Sequence, residues 1–93
     1  MPKYADDETT FAALKVRIAK TVDFVQGFEP SDIDGSDERD LTITAGTREL
    51  RFKGQQYLVS FALPNFYFHV TTAYAILRHC GVPIGKRDFL GAM

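Results

Sequence analysis

GQQYLVSFALPNFYFHVTTAYAIL, running from Gly54 to Leu77, carries no formal charge in a chain of 93 residues of which 25% are charged. So apolar a stretch has to be hidden from water, and the way it is hidden decides the architecture. Its length raises a transmembrane span, since about 20 apolar residues cross a bilayer. Gln55, Gln56, Ser60, Pro64, Asn65, His69, Thr71 and Thr72 argue against that, because Asn and His at mid-bilayer depth need partners that a lone span does not offer. The stretch therefore reads as a long soluble helix from about Gln55 to His79, kinked or divided near Pro64, which removes a backbone donor. Gly81 suits a left-handed C-cap, with Pro83 beyond it.

Placing successive residues 100° apart puts Leu58, Phe61, Asn65, Phe68, His69, Thr72, Ile76 and Cys80 on one face, and Phe66, Val70, Ala73 and Leu77 on a second. Two apolar faces cover more of the circumference than one neighbouring helix can shield.

Upstream, Asp7 to Gly27 reads as an amphipathic helix. Phe11, Leu14, Ile18, Val22, Val25 and Phe28 form its stripe. Asp6, Asp7 and Glu8 lie where the helix dipole favours acids, and Asp7, Thr9 or Thr10 can supply the N-cap. Gly27 and Pro30 end it. Residues 28–40 form an acidic loop rich in Pro, Ser and Gly. Its order lacks the spacing and terminal Glu of a calcium loop.

Leu41 to Ala45 and Arg48 to Phe52 alternate apolar with polar around Gly46-Thr47, which predicts a β-hairpin with a type II′ turn. Two strands alone are marginal in water, so Leu41, Ile43, Leu50 and Phe52 are expected to pack on the helices. The tail 81–93 reads as short and irregular, with Phe89 and Leu90 tucked back. The expected organisation is thus a single domain over residues 1–93.

A formal net charge of −1 provides no long-range attraction to nucleic acid or to an anionic membrane. A single cysteine, Cys80, and the absence of an apolar h-region near the start lead to the expectation of a reducing cytoplasm.

The stretch Leu63-Pro-Asn-Phe-Tyr-Phe-His-Val-Thr-Thr-Ala-Tyr74, together with Ile76-Leu-Arg-His79 and Gly85-Lys-Arg-Asp-Phe-Leu-Gly91, resembles the family known as domain of unknown function 1993. That family is grouped with the DinB/YfiT-like four-helix bundles. Asp7-Glu-Thr-Thr-Phe-Ala-Ala-Leu14 and the hairpin end Phe52-Lys-Gly-Gln55 fit it too. The resemblance implies a mainly α fold in which this chain corresponds to the C-terminal half of a bundle: a helical hairpin with a short β-hairpin between its two long helices. Completion then falls to a homodimer, or to a different chain supplying two further helices.

DinB-like proteins often hold a divalent metal with three histidines, two of them an H-x3-H pair on the last helix. The corresponding positions here are Asn65 and His69. Asparagine is a poor ligand for zinc or nickel, and no earlier helix supplies another histidine. The expectation is accordingly a bundle protein that is non-catalytic or binds a small ligand, without cofactor, with Asn65, His69 and Thr72 as the candidate pocket. Buried polar groups of this kind otherwise hydrogen-bond to each other or to a facing helix. The alternative is a zinc- or nickel-dependent hydrolase or thiol transferase with His69 as one ligand and the rest of the site from a partner chain.

Other motifs carry less. His79 and Cys80 are helix neighbours pointing about 100° apart, which keeps them from forming a direct couple, so Cys80 is expected to be a small core residue and His79 a partner for the last carbonyls. Gly81-x3-Gly85-Lys86 is one residue short of a phosphate loop and comes after a helix where such a loop precedes one. Tyr57, Tyr67 and Tyr74 read as core and rim, and no acid-base or nucleophilic set is legible.

Overall fold

The computed structural model describes residues 2–92. It is mainly helical, with one antiparallel hairpin, and it falls into two compact units that divide between Asp34 and Gly35.

In the first unit, helix α1 spans Phe11–Gln26. It starts later than the charge pattern suggests, because Thr10 takes the cap: its hydroxyl accepts from the amide of Ala13 at 3.1 Å. The acids ahead of it serve another purpose. Asp6, held at a positive φ of 54°, and Glu8 both pair with Arg17, and the Arg17 guanidinium lies over the Tyr4 ring at 4.9 Å. The Thr21 hydroxyl donates to the Arg17 carbonyl at 2.9 Å and shares a hydrogen bond with the Tyr4 hydroxyl at 3.3 Å. The N-terminal arm is thereby laid back along α1, and hydrogen bonds to Asp6 and then Glu8 hold the Arg17 pKa above its ordinary value. At the other end Gly27 is a right-handed cap with φ −72°. The expected acidic loop contains one helical turn, α2 (Pro30–Ile33), where Pro30 presets the first φ and the Asp32 carboxylate accepts the Glu29 amide at 2.8 Å.

In the second unit, strands β1 (Asp40–Ala45) and β2 (Arg48–Lys53) pair Leu41 with Phe52 and Ile43 with Leu50, so the four half-buried apolar side chains share one face. Gly46 has φ 63° and Thr47 has no positive φ, as a type II′ turn requires. The hairpin runs straight into a helical rod of three parts: α3 (Gly54–Tyr57), a π-helical segment (Leu58–Ala62) and α4 (Leu63–His79). The rings of Phe52, Tyr57 and Phe61 cluster at centroid separations of 5.4 to 5.9 Å and join sheet to rod.

The π segment has an identifiable cause. Pro64 cannot donate to Ser60, and its ring would crowd that carbonyl in an α-helix, so the preceding turn widens and the Leu63 amide reaches five residues back to Leu58. One extra residue in a turn rotates the helix before it by about 100° relative to the helix after it. The single face drawn through Leu58 and Phe61 to Cys80 is therefore broken: Phe61 belongs with the hairpin, and the continuous face begins at Asn65.

At the far end of α4, Gly81 has φ 92°, and the amides of Gly81 and Val82 donate back to Arg78 and Leu77 at 3.0 and 3.1 Å. This is the reciprocal pair of bonds that ends a helix on a left-handed glycine. The tail is more ordered than expected. It forms α5 (Lys86–Leu90), where the Asp88 carboxylate accepts the Gly85 amide at 2.8 Å. Phe89 packs edge-on against Tyr74 at 5.3 Å, while Leu90 stays half exposed.

Among the described residues none is buried. Large apolar side chains of α1 (Phe11, Ile18, Val25) and of the rod (Leu58, Phe66, Phe68, Ile76) are all more than half exposed. Cys80, expected in a core, is exposed as well. No helix among the described residues is long and apolar enough to cross a membrane.

Candidate functional site

Asn65, His69 and Thr72 lie on α4 at spacings of four and three, so they succeed one another along one face. All three are exposed. The Asn65 side chain is turned back on its own helix, where its amide donates to the Phe61 carbonyl at 2.8 Å. That carbonyl lies in the turn widened ahead of Pro64, so the bond is local to the helix. Asn65 is thus engaged neither with His69 nor with a facing helix. The His69 ring lies edge-on to Phe68 at 5.3 Å, flanked on the same face by Ile76 and Thr72.

Among the described residues no three of His, Cys, Asp and Glu form a group that could hold a metal. A zinc or nickel centre at His69 needs about three protein ligands, so within this chain the residues present do not fit one. Arg78 lies in the last turn of α4, where its positive charge complements the dipole, with His79 next to it.

A feature not anticipated from the sequence lies between α4 and α5. Thr71, Tyr74 and Arg78, at spacings of three and four on α4, meet Lys86 and Phe89 of α5 around a cleft of about 180 Å³. The half-buried Tyr74 hydroxyl donates to the Gly85 carbonyl and fixes the approach of α5. The signal was present in the sequence as a third, amphipathic stripe of α4. It was hidden by reading the tail as irregular, which left Lys86 and Phe89 without a helix to align them.

No curated protein and no solved structure matches the chain. A family model matches residues 1–90, nearly the whole of the sequence. The chain belongs to the family described as domain of unknown function, DUF1993.

Proposed function

We propose that this protein is a non-catalytic bundle-forming protein whose α1 and helical rod pair with those of a second copy, rebuilding a DinB-like four-helix bundle around the Asn65, His69 and Thr72 face. The observation that supports this reading is the uncovered apolar surface. Within the second unit Leu58, Phe66, Phe68 and Ile76 of the rod are each more than half exposed, which is more contiguous apolar surface than a solvated helix normally presents.

Energetics point the same way. Covering Phe68, Ile76, Phe66 and Leu58 would contribute about 1.5 to 3 kcal/mol each, together comparable with the whole stability of a small domain. A second copy suits the task because a net charge of −1 leaves little mutual repulsion, and a two-fold axis lets one apolar face serve both partners. In such a bundle His69 and Thr72 form a polar layer near the axis, available to a small ligand.

Analytical ultracentrifugation from 1 to 100 µM tests the reading. The expected result is a dimer whose melting temperature rises with protein concentration. A well-folded monomer across that range overturns it.

A further inference from the structure

We infer that the cleft between α4 and α5 is a binding site for a small organic carboxylate with an aromatic or short aliphatic body. Its lining is mostly apolar. The Tyr74 and Phe89 rings, edge to face at 5.3 Å, form an apolar corner, and the stems of Arg78 and Lys86 complete the wall, which leaves their charged ends to the mouth of the cleft. Among the described residues neither cation has an ion-pair partner, and no acid lines the cleft.

The nearby acid, Asp88, is occupied in capping the Gly85 amide. The Tyr74 hydroxyl is likewise committed, to the Gly85 carbonyl. The carbonyls of Leu77 and Arg78, which would repel an anion, are turned to the amides of Val82 and Gly81. The groups still unspent around the apolar corner are the Arg78 guanidinium, the Lys86 ammonium and the Thr71 hydroxyl. That set recognises an anion, with the guanidinium fork matched to the two oxygens of a carboxylate.

Size and surface narrow the class. About 180 Å³ lies below the usual range for drug-sized ligands, which suits a molecule with a single ring. The aromatic wall favours a body that inorganic phosphate lacks. Position adds that the site is independent of the proposed bundle: Thr71, Tyr74 and Arg78 lie about 140° to 160° around α4 from Ile76, so covering the Ile76 face leaves the cleft open.

The test is a titration of the full chain, labelled with ¹⁵N, against benzoate, with benzyl alcohol and inorganic phosphate as comparison probes. Benzoate is expected to give saturable amide shifts confined to residues 71–89, binding at least about tenfold tighter than either comparison probe. The Arg78→Gln/Lys86→Gln double variant, which changes two exposed side chains, is expected to keep the spectrum of the folded protein and to weaken benzoate by about tenfold or more. Absence of saturable shifts, equal binding of benzyl alcohol or phosphate, or unchanged affinity in the folded double variant would each overturn the assignment. A dimerisation failure would leave these outcomes unaffected, so the two readings fail separately.

Discussion

The Asn65 side-chain amide donates to the Phe61 carbonyl at 2.8 Å, across the turn that Pro64 forces open. The bond satisfies the amide locally, but the residue is exposed and alanine is the better helix former by about half a kcal/mol. Asn65→Ala is therefore expected to lie within about 0.5 kcal/mol of wild type. Urea titration measures this. A loss of about 1 kcal/mol or more would show that the bond holds the rod together.

The same residue bears on the metal alternative. Wild-type protein, with His69 alone on this face, is expected to take up no stoichiometric zinc or nickel at micromolar concentration. Asn65→His places two imidazoles one turn apart and should bind either metal measurably, with loss on the further change His69→Ala. Calorimetric titration separates the cases. Tight zinc binding by the wild type that disappears in His69→Ala would support the metal-dependent reading.

How far each element was legible in the sequence depends on the range of the forces that shape it. The β-hairpin could be read because alternation and a Gly-Thr turn are local signals, and the Leu41 to Phe52 and Ile43 to Leu50 pairs result from them. The end of α4 at Gly81 was equally local. The rod's phase was not legible: Pro64 announces a disturbance, but whether a helix breaks, bends or widens depends on its neighbours, and the widening moved Phe61 off the face assigned to it. The start of α1 is open in the sequence between Asp7, Thr9 and Thr10, and Thr10 takes the cap while Asp6 and Glu8 find a full charge at Arg17. The α4–α5 cleft was missed because α5 is one turn long and depends on Asp88 and on the Tyr74 bond for its existence.

Two glycines offer a contrast in the same unit. A Cβ on Gly54 would run into the Ser36 carbonyl, which passes over the first turn of α3, whereas a Cβ on Gly85 would meet nothing within 4 Å. Backbone atoms cannot yield as a side chain can, so Gly54→Ala is expected to lose about 2 kcal/mol or more. Gly85→Ala, at an extended φ of −148°, should lie within about 0.5 kcal/mol of wild type. Denaturant melts of both variants check the pair, and equal effects would refute the close approach at Ser36.

Lys53 and Asp40 face each other at the open end of the hairpin, 2.7 Å apart. The hydrogen bond to Asp40 raises the Lys53 pKa above the ordinary lysine value. The contribution to stability is thus complete below that ordinary value and is lost as pH rises through the higher, folded one. The side chains are exposed, so the effect is small and weakens with salt. Lys53→Met should flatten this alkaline slope; an identical slope in the variant would place its origin elsewhere.

The assembly reading predicts a difference between faces that exposure alone does not. Phe68, Ile76 and Tyr67 are exposed to similar degrees, at 65%, 57% and 53%, yet Tyr67 lies roughly opposite the Ile76 face of α4. If the apolar face is covered by a second copy, a glutamate at Phe68 or Ile76 is forced into an interface without a partner charge, which costs several kcal/mol per site. Phe68→Glu and Ile76→Glu should therefore shift the sedimentation profile to monomer at concentrations where wild type is dimeric, while Tyr67→Glu should leave the dimer in place. Equal tolerance of all three substitutions would mean that the face stays wet, because a charge is harmless only where water reaches it.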